Sequence, residues 1–257
     1  MSLCQDKSLT HKVLKAAGLN LPCQQMAGNA DDNLAFLDEH QRVVVKPLDG
    51  EQGQGVAVDL QQIDDVQQAI EAARAFASRV LLESFHEGLD LRILVIGFEV
   101  VAAAIRRPAE FVGDCQHTVW TLIEAQSRRR QAVTQGESKI PLDHETERTL
   151  QAAGYHYDSI LPVGERLFVR RTANLHTGGT LEDVTAILHP TLVDAAVRAA
   201  RALDIPMVGL DLMVPAADQP DYVFIEANER AGLANHEPQP VAERFVDLLF
   251  PHSHVAV

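Results

Sequence analysis

Three oxygen-bearing side chains in the last quarter of the sequence stand in otherwise apolar surroundings. Asp211 interrupts the run GLDLMV, and Glu226 and Asn228 close the run YVFIEAN. The two-residue period of a strand puts Glu226 and Asn228 on one face. Two carboxylates and an amide oxygen are hard ligands of the kind Mg²⁺ takes together with substrate phosphates, and Mn²⁺ accepts the same set. Any one of them could be a solvated strand end. Three within 18 residues of apolar strand point to a metal site.

Lys46 follows Val43, Val44 and Val45 directly. A lysine at the end of a buried strand needs an anion, because an unpaired buried ammonium is expensive. The loop LDGEQGQG (48–55) begins two residues later and can cradle one. Gly50, Gly53 and Gly55, with Gln52 between them, let backbone N–H groups approach phosphate oxygens. The loop lacks the GK[ST] of a P-loop, and a strand rather than a helix follows, so a dinucleotide-type dehydrogenase reading is weak. Arg92, Arg106, Arg107, Arg170 and Arg171 lie at strand positions or strand ends. They suit bidentate anion recognition, with about half of them expected to serve as ordinary ion pairs.

The elements that must position these groups fall into two runs. Asp6 or Ser8 caps a first helix that Gly18 ends. Strands are expected at 42–47, 56–60 and 80–85, with an amphipathic helix at 63–78. A hairpin over 91–108 turns near Gly97, helices follow near 118–130 and 143–153, and a strand occupies 166–171. The polar loop TANLHTGG, a helix at 190–203, strands at 207–214 and 221–228 and a helix at 239–249 complete the chain. The expected class is α+β, with two lobes sharing a cleft.

Composition narrows the partners. The chain has 257 residues and a formal net charge of −14, which disfavours phosphate backbones and anionic membranes. No nucleic-acid or membrane partner is expected, and an anionic ligand must be held by local cations and amides. Cys4, Cys23 and Cys115 are odd in number and lack CxxC spacing, so reduced thiols are expected. No apolar stretch approaches the roughly 20 residues of a membrane span, and the N-terminus lacks a signal-peptide core, so the cytoplasm is the expected location.

The order of motifs, DK near the start, VVVKP, a glycine-rich loop, LLESFHEGLDLR, RRTANLHTGG, GLDL and IEAN, resembles the ATP-grasp superfamily of carboxylate–amine ligases. VVKPLDG, VVAAAIRRPA and RRTANLHTGGTLEDVT look like cyanophycin synthetase. SRRRQAVTQGES and IEANERAGLANHEPQPVAERFVDLLFP look more like the ligase domain of N-acetylglutaminylglutamine synthetases. The resemblance implies an ATP-grasp fold, with two α+β lobes gripping ATP between them. It implies a lead-in helix at 1–20, a smaller lobe at 21–87 with a glycine-rich lid, and a larger lobe at 88–257 with the metal site.

By resemblance, Lys7 and Lys46 contact ATP phosphates, and the loop carrying Gly50, Gln52, Gly53 and Gly55 closes over them. Glu83 meets the adenine amino group beside backbone near Phe85, and Asp90 binds the ribose. Asp211, Glu226 and Asn228 ligate Mg²⁺. Where D-alanine ligases carry an arginine two positions before the metal aspartate, this chain has Gly209, so Arg171 or Arg106 would steady the acyl-phosphate. The implied activity is C–N bond formation on amino-acid or dipeptide substrates, giving an N-acetylglutaminylglutamine-type product. A cyanophycin-synthetase-like ligase, or an ATP-binding fragment inactive without an acceptor domain, is the alternative. Relatives normally carry a domain ahead of the DK helix, an acetyltransferase in the N-acetylglutaminylglutamine type. An oligomer is compatible with all of these readings.

Overall fold

Asp6 caps the first helix, α1 (Lys7–Ala16), by accepting from the Leu9 N–H at 3.0 Å. The computed structural model describes residues 4, 6–48, 55–136, 138–171, 173, 175–232 and 238–251. After α1 come β1 (Gln24–Met26), α2 (Ala30–His40), β2 (Val43–Pro47), β3 (Ala57–Leu60), α3 (Ile63–Arg74) and β4 (Val80–Ser84). The sequence pattern did not announce β1 or α2: β1 is too short to alternate, and α2 is mostly polar. Asn29 caps α2 with Asp31 and Asp32 in its first turn, so its ends favour a helix where its face gives little signal.

These strands form an antiparallel sheet in the order β1-β4-β2-β3. Val43, Val45, Val80 and Leu82 pack against Val66, Ile70 and Ala73 of α3 and Phe36 and Leu37 of α2. Alternation therefore sends Lys46 and Glu83 to the opposite face, away from both helices. Gly50, Gln52 and Gly53 of the expected lid lie outside the described residues. Gly55 has φ +69°, and a Cβ there would stand 2.7 Å from the Phe76 ring and 2.9 Å from Pro47, so glycine is needed at this turn.

β5 (Leu89–Ile96) and β6 (Glu99–Arg107) form the expected hairpin, turning at Gly97 and Phe98, both with positive φ. Next come β7 (Glu110–Val112), α4 (Val119–Val133), α5 (His144–Ala152) and β8 (Arg166–Phe168). Residues 104–182 form a compact unit of their own, with a core of Phe111, Ile123, Ile140, Leu150, Leu161 and Val169. The expected strand at 166–171 stops at Phe168, and the neighbouring Arg170 has another task. Its guanidinium donates to Asp143 Oδ1 at 2.8 Å, to Thr146 Oγ1 at 3.0 Å and to Glu145, fixing the first turn of α5. Arg170 is buried and committed to this helix start, which corrects its reading as an anion-recognition residue.

β9 (Thr180–Asp183), α6 (Pro190–Leu203), β10 (Met207–Val214), β11 (Val223–Asn228) and α7 (Val241–Leu249) complete the fold. The second sheet has the order β11-β10-β5-β6-β9, with β10 antiparallel to both β5 and β11. Residues 1–103 and 183–257 cluster as the other compact unit. Pro190 opens α6 behind the His189 cap, and Leu192, Ala196, Ala199 and Leu203 form its buried stripe. Among the described residues, no helix is long and apolar enough to cross a membrane, and all three cysteines are free.

Burial pushes the Asp143 carboxyl up, but the Thr146 N–H and the Arg170 guanidinium outweigh it and hold it below the ordinary aspartate value. A depressed folded-state pKa contributes stability above the unfolded value and loses it as pH falls. Arg170→Met is therefore expected to lower unfolding stability by about 1 kcal/mol at pH 7, since Asp143 is half exposed and its pairing is screened by solvent. Urea melts should show that gap narrowing below about pH 3.9, where the aspartate protonates. A gap unchanged with pH would contradict the ion-pair account.

Candidate functional site

The register of the second sheet aligns three charged residues. On β10, Asp211 is the direct partner of Arg92 on β5 and of Glu226 on β11. Directly opposed residues share a face, so Arg92, Asp211 and Glu226 form one row across three strands. A register shift follows immediately between Asp211 and Leu212. Such bulges re-aim side chains at sheet positions like this one.

Asp211 is 5% exposed. Arg92 grips both its oxygens, Nε on Oδ1 and Nη2 on Oδ2, the latter at 3.0 Å. Asn228 donates to Oδ2 at 3.3 Å. Lys7 approaches Glu226 at 3.8 Å. Burial raises the Glu226 pKa, and Asp211 raises it further, while Lys7, Lys46 and Arg92 pull it down. Asp211 thus disfavours the charged form of Glu226, and three nearby cations favour it.

Lys46 and Glu83 form the second half of the site. They are 6% and 3% exposed, with Nζ 2.6 Å from Oε1. The Gln24 amide donates to the same oxygen, across the direct β1–β4 pairing of Gln24 with Glu83. Lys46 needed an anion, and a carboxylate of this chain supplies it, taking one of the three ammonium donors. Lys7, Gln24, Lys46, Phe224 and Glu226 line a single cavity beside α1.

The remaining candidates are placed less centrally. Asp90 lies two residues before Arg92 on the same face of β5. The Phe85 N–H is taken by the Arg42 carbonyl at 2.9 Å, and the Arg42 guanidinium lies 4.3 Å from the centre of the Phe85 ring. Arg106 and Arg171 belong to the 104–182 unit, Arg106 near the end of β6 and Arg171 exposed after β8. Arg107 pairs with Glu182 at 2.6 Å. Asn174 of the polar loop lies outside the described residues.

Sequence reasoning missed two contributors. Gln24 sits on a three-residue strand with no readable period. Arg92 was visible only as one of five arginines, and its commitment to Asp211 depends on strand register, which the sequence does not print.

Magnesium commonly takes one or two carboxylates and completes its shell with water and phosphate. Asp211 and Glu226 on adjacent strands, with the Asn228 amide against Asp211, match that donor set. Among the described residues, no group of three His, Cys, Asp or Glu side chains could hold a metal.

Residues 4–144, more than half of the chain, match the RimK-like ATP-grasp domain. The chain belongs to this family. The ATP-grasp domain has the α+β architecture expected of it, with helices on antiparallel sheets. It is 33% identical to the cyanophycin synthetase of Nostoc sp., over 98% of this chain and 30% of that protein. It is 28% identical to a glutathione biosynthesis bifunctional protein of Clostridium perfringens, over 96% of this chain and 34% of that protein. The crystal structure of a bifunctional glutathione synthetase from Pasteurella multocida superposes with a TM-score of 0.65 at 26% identity, covering 97% of this chain and 37% of the other. The ATP-grasp chain thus spans about a third of the length of these relatives.

The Lys46–Glu83 pair makes a direct test of the site's construction. Lys46→Met leaves a buried carboxylate with only Gln24 and is expected to cost about 3 kcal/mol in denaturant melts. Adding Glu83→Leu to the same chain should recover at least about half of that loss, since replacing both charges removes the stranded one. A double variant no more stable than Lys46→Met would show that the pair is not the unit described.

Proposed function

We propose that this chain is the ATP- and Mg²⁺-binding ligase domain of an enzyme that joins a carboxylate to an amine through an acyl-phosphate. The observation that carries it is the cavity lined by buried Lys46, half-buried Lys7 and Glu226, one strand from Asp211. Cations and carboxylates side by side in one cavity suit a metal–triphosphate better than either ion alone.

In this reading Lys7 and Lys46 hold phosphate oxygens, with Glu83 and Gln24 fixing where the Lys46 ammonium points. Gly50, Gln52, Gly53 and Gly55 belong to a lid that excludes water from the reactive acyl-phosphate. Glu83 and the backbone near Phe85 meet the adenine. Since the Phe85 N–H is already bonded to Arg42, the carbonyls there are the groups left for an exocyclic amine. Asp90 takes the ribose. Asp211, Glu226 and Asn228 would hold Mg²⁺, which when bound neutralises charge spreading over the phosphoryl oxygens. Arg171 or Arg106 steadies the acyl-phosphate by bidentate hydrogen bonds.

The division into a lobe at 21–87 and a lobe at 88–257 is supported by sheet membership, since β1 to β4 make one sheet and no described strand after Ser84 joins it. The product type is an N-acetylglutaminylglutamine-like dipeptide, supported by the 127–138 and 225–251 stretches. The 33% identity to cyanophycin synthetase favours a second reading, an amino-acid ligase of that kind. Amino-acid or dipeptide substrates, a preceding acceptor or acetyltransferase domain, and a cytoplasmic location belong to the same proposal.

Calorimetry with ATP and Mg²⁺ tests it. The protein should bind the nucleotide, and Glu226→Gln should weaken binding by about 1.5–3 kcal/mol, the range for a charge-assisted contact. ADP release should then rise with N-acetylglutamine plus a glutamine-type acceptor more than with free amino acids. No nucleotide binding by the wild type would reject the reading.

A further inference from the structure

Arg92 has a feature that an ordinary surface ion pair does not need. Its guanidinium lies over Gly209: a Cβ on that glycine would stand 3.0 Å from Arg92 Nη1 and 3.5 Å from its Cδ, and 3.0 Å from the Ala231 Cβ on its other side. Gly209 is two residues before Asp211 on β10 and shares its face. The strand therefore lacks a side chain where the guanidinium crosses it to reach both oxygens of Asp211. Arg92 and Asp211 side chains are 18% and 7% exposed, so the fork is fixed in a low-water setting.

We infer that Arg92 is a positioning residue that occupies the Asp211 carboxylate as a stand-in cation and competes with the divalent ion for it. This rests on the proposed metal role of Asp211 and Glu226. Two carboxylates on opposed strand positions repel each other, and the guanidinium offsets that repulsion in the free protein. The same contact makes the free protein a weak metal binder, because a cation must displace two hydrogen bonds to gain the carboxylate. Gly209 is the cradle that lets the fork lie flat. Arg92 thus holds the site in shape and makes metal uptake depend on the phosphate ligands that arrive with nucleotide.

Titration of the nucleotide-free protein with Mn²⁺, followed by the loss of the free-ion EPR signal, tests this. Wild type should bind Mn²⁺ weakly, and Arg92→Met should bind it more tightly by on the order of tenfold, the scale of one lost competing charge. Gly209→Ala changes no charge but crowds the guanidinium as well as Ala231, and should tighten Mn²⁺ binding in the same direction by a smaller factor. A merely structural ion pair would give the opposite sign, since loosening it would weaken any metal site. If Arg92→Met does not fold, Gly209→Ala and Arg92→Lys carry the test, the lysine losing the two-pronged grip. Unchanged or weaker Mn²⁺ binding in the folded variants overturns the inference. The wild type is titrated in parallel with Mn²⁺ and ATP together. Binding there without the gain in the variants rejects only the role of Arg92, whereas no binding there rejects the functional reading and this inference with it.

Discussion

Antiparallel register in the second sheet is the constraint from which the site follows. Because side chains alternate along a strand, shifting β10 by one residue against β5 would turn Asp211 to the opposite face from Arg92. The same slip would part it from Glu226 on β11. The apolar positions hold the register. Leu210, Leu212 and Val214 are fully buried, as are Leu91, Ile93 and Val95. Charged groups are thereby carried into a partly dry setting by hydrophobic residues on the same strands. Asp211 is tolerated there because Arg92 bonds both its oxygens, and Glu226 because Arg92, Lys7 and Lys46 favour its charged form.

The first sheet solves a related problem differently. Lys46 is isolated from α2 and α3 by the alternation of β2, and its charge is met by Glu83 two strand positions away on β4. A buried pair of this kind adds little net stability over an apolar one, yet removing either partner is costly. Its value is directional, since Glu83 and Gln24 restrict a flexible four-carbon stem to one orientation. For an acidic chain, such local concentration of cations is what makes an anionic ligand admissible at all.

Long periodic segments were legible in the sequence, and so were the residues they carry. The helix at 190–203 and the strand at 207–214 appear with the expected bounds, because an alanine-rich stripe and an eight-residue apolar run leave no competing period. Asp211, Glu226 and Asn228 stood out as polar atoms in apolar strand, and they converge. β1 and α2 were not legible, one for shortness and the other for a weak apolar face whose helical signal lies in its cap. Arg170 looked like Arg171 in the sequence, and only tertiary packing separates a helix tie from an exposed arginine. The partner of Arg92 was illegible for the same reason, since pairing between residues 119 positions apart is a property of topology.

The scarcity of lysine gives the buried pair a consequence for covalent chemistry. Only five lysines occur in the chain. Lys12, Lys15 and Lys139 are exposed, whereas the side chains of Lys7 and Lys46 are 12% and 7% accessible. The Lys46 ammonium is buried against a carboxylate at 2.6 Å, where a reagent in solution has little access to it. Acylating agents and cellular acetyl donors therefore meet three ready amines on the surface while the lysine inside the first sheet is chemically silent.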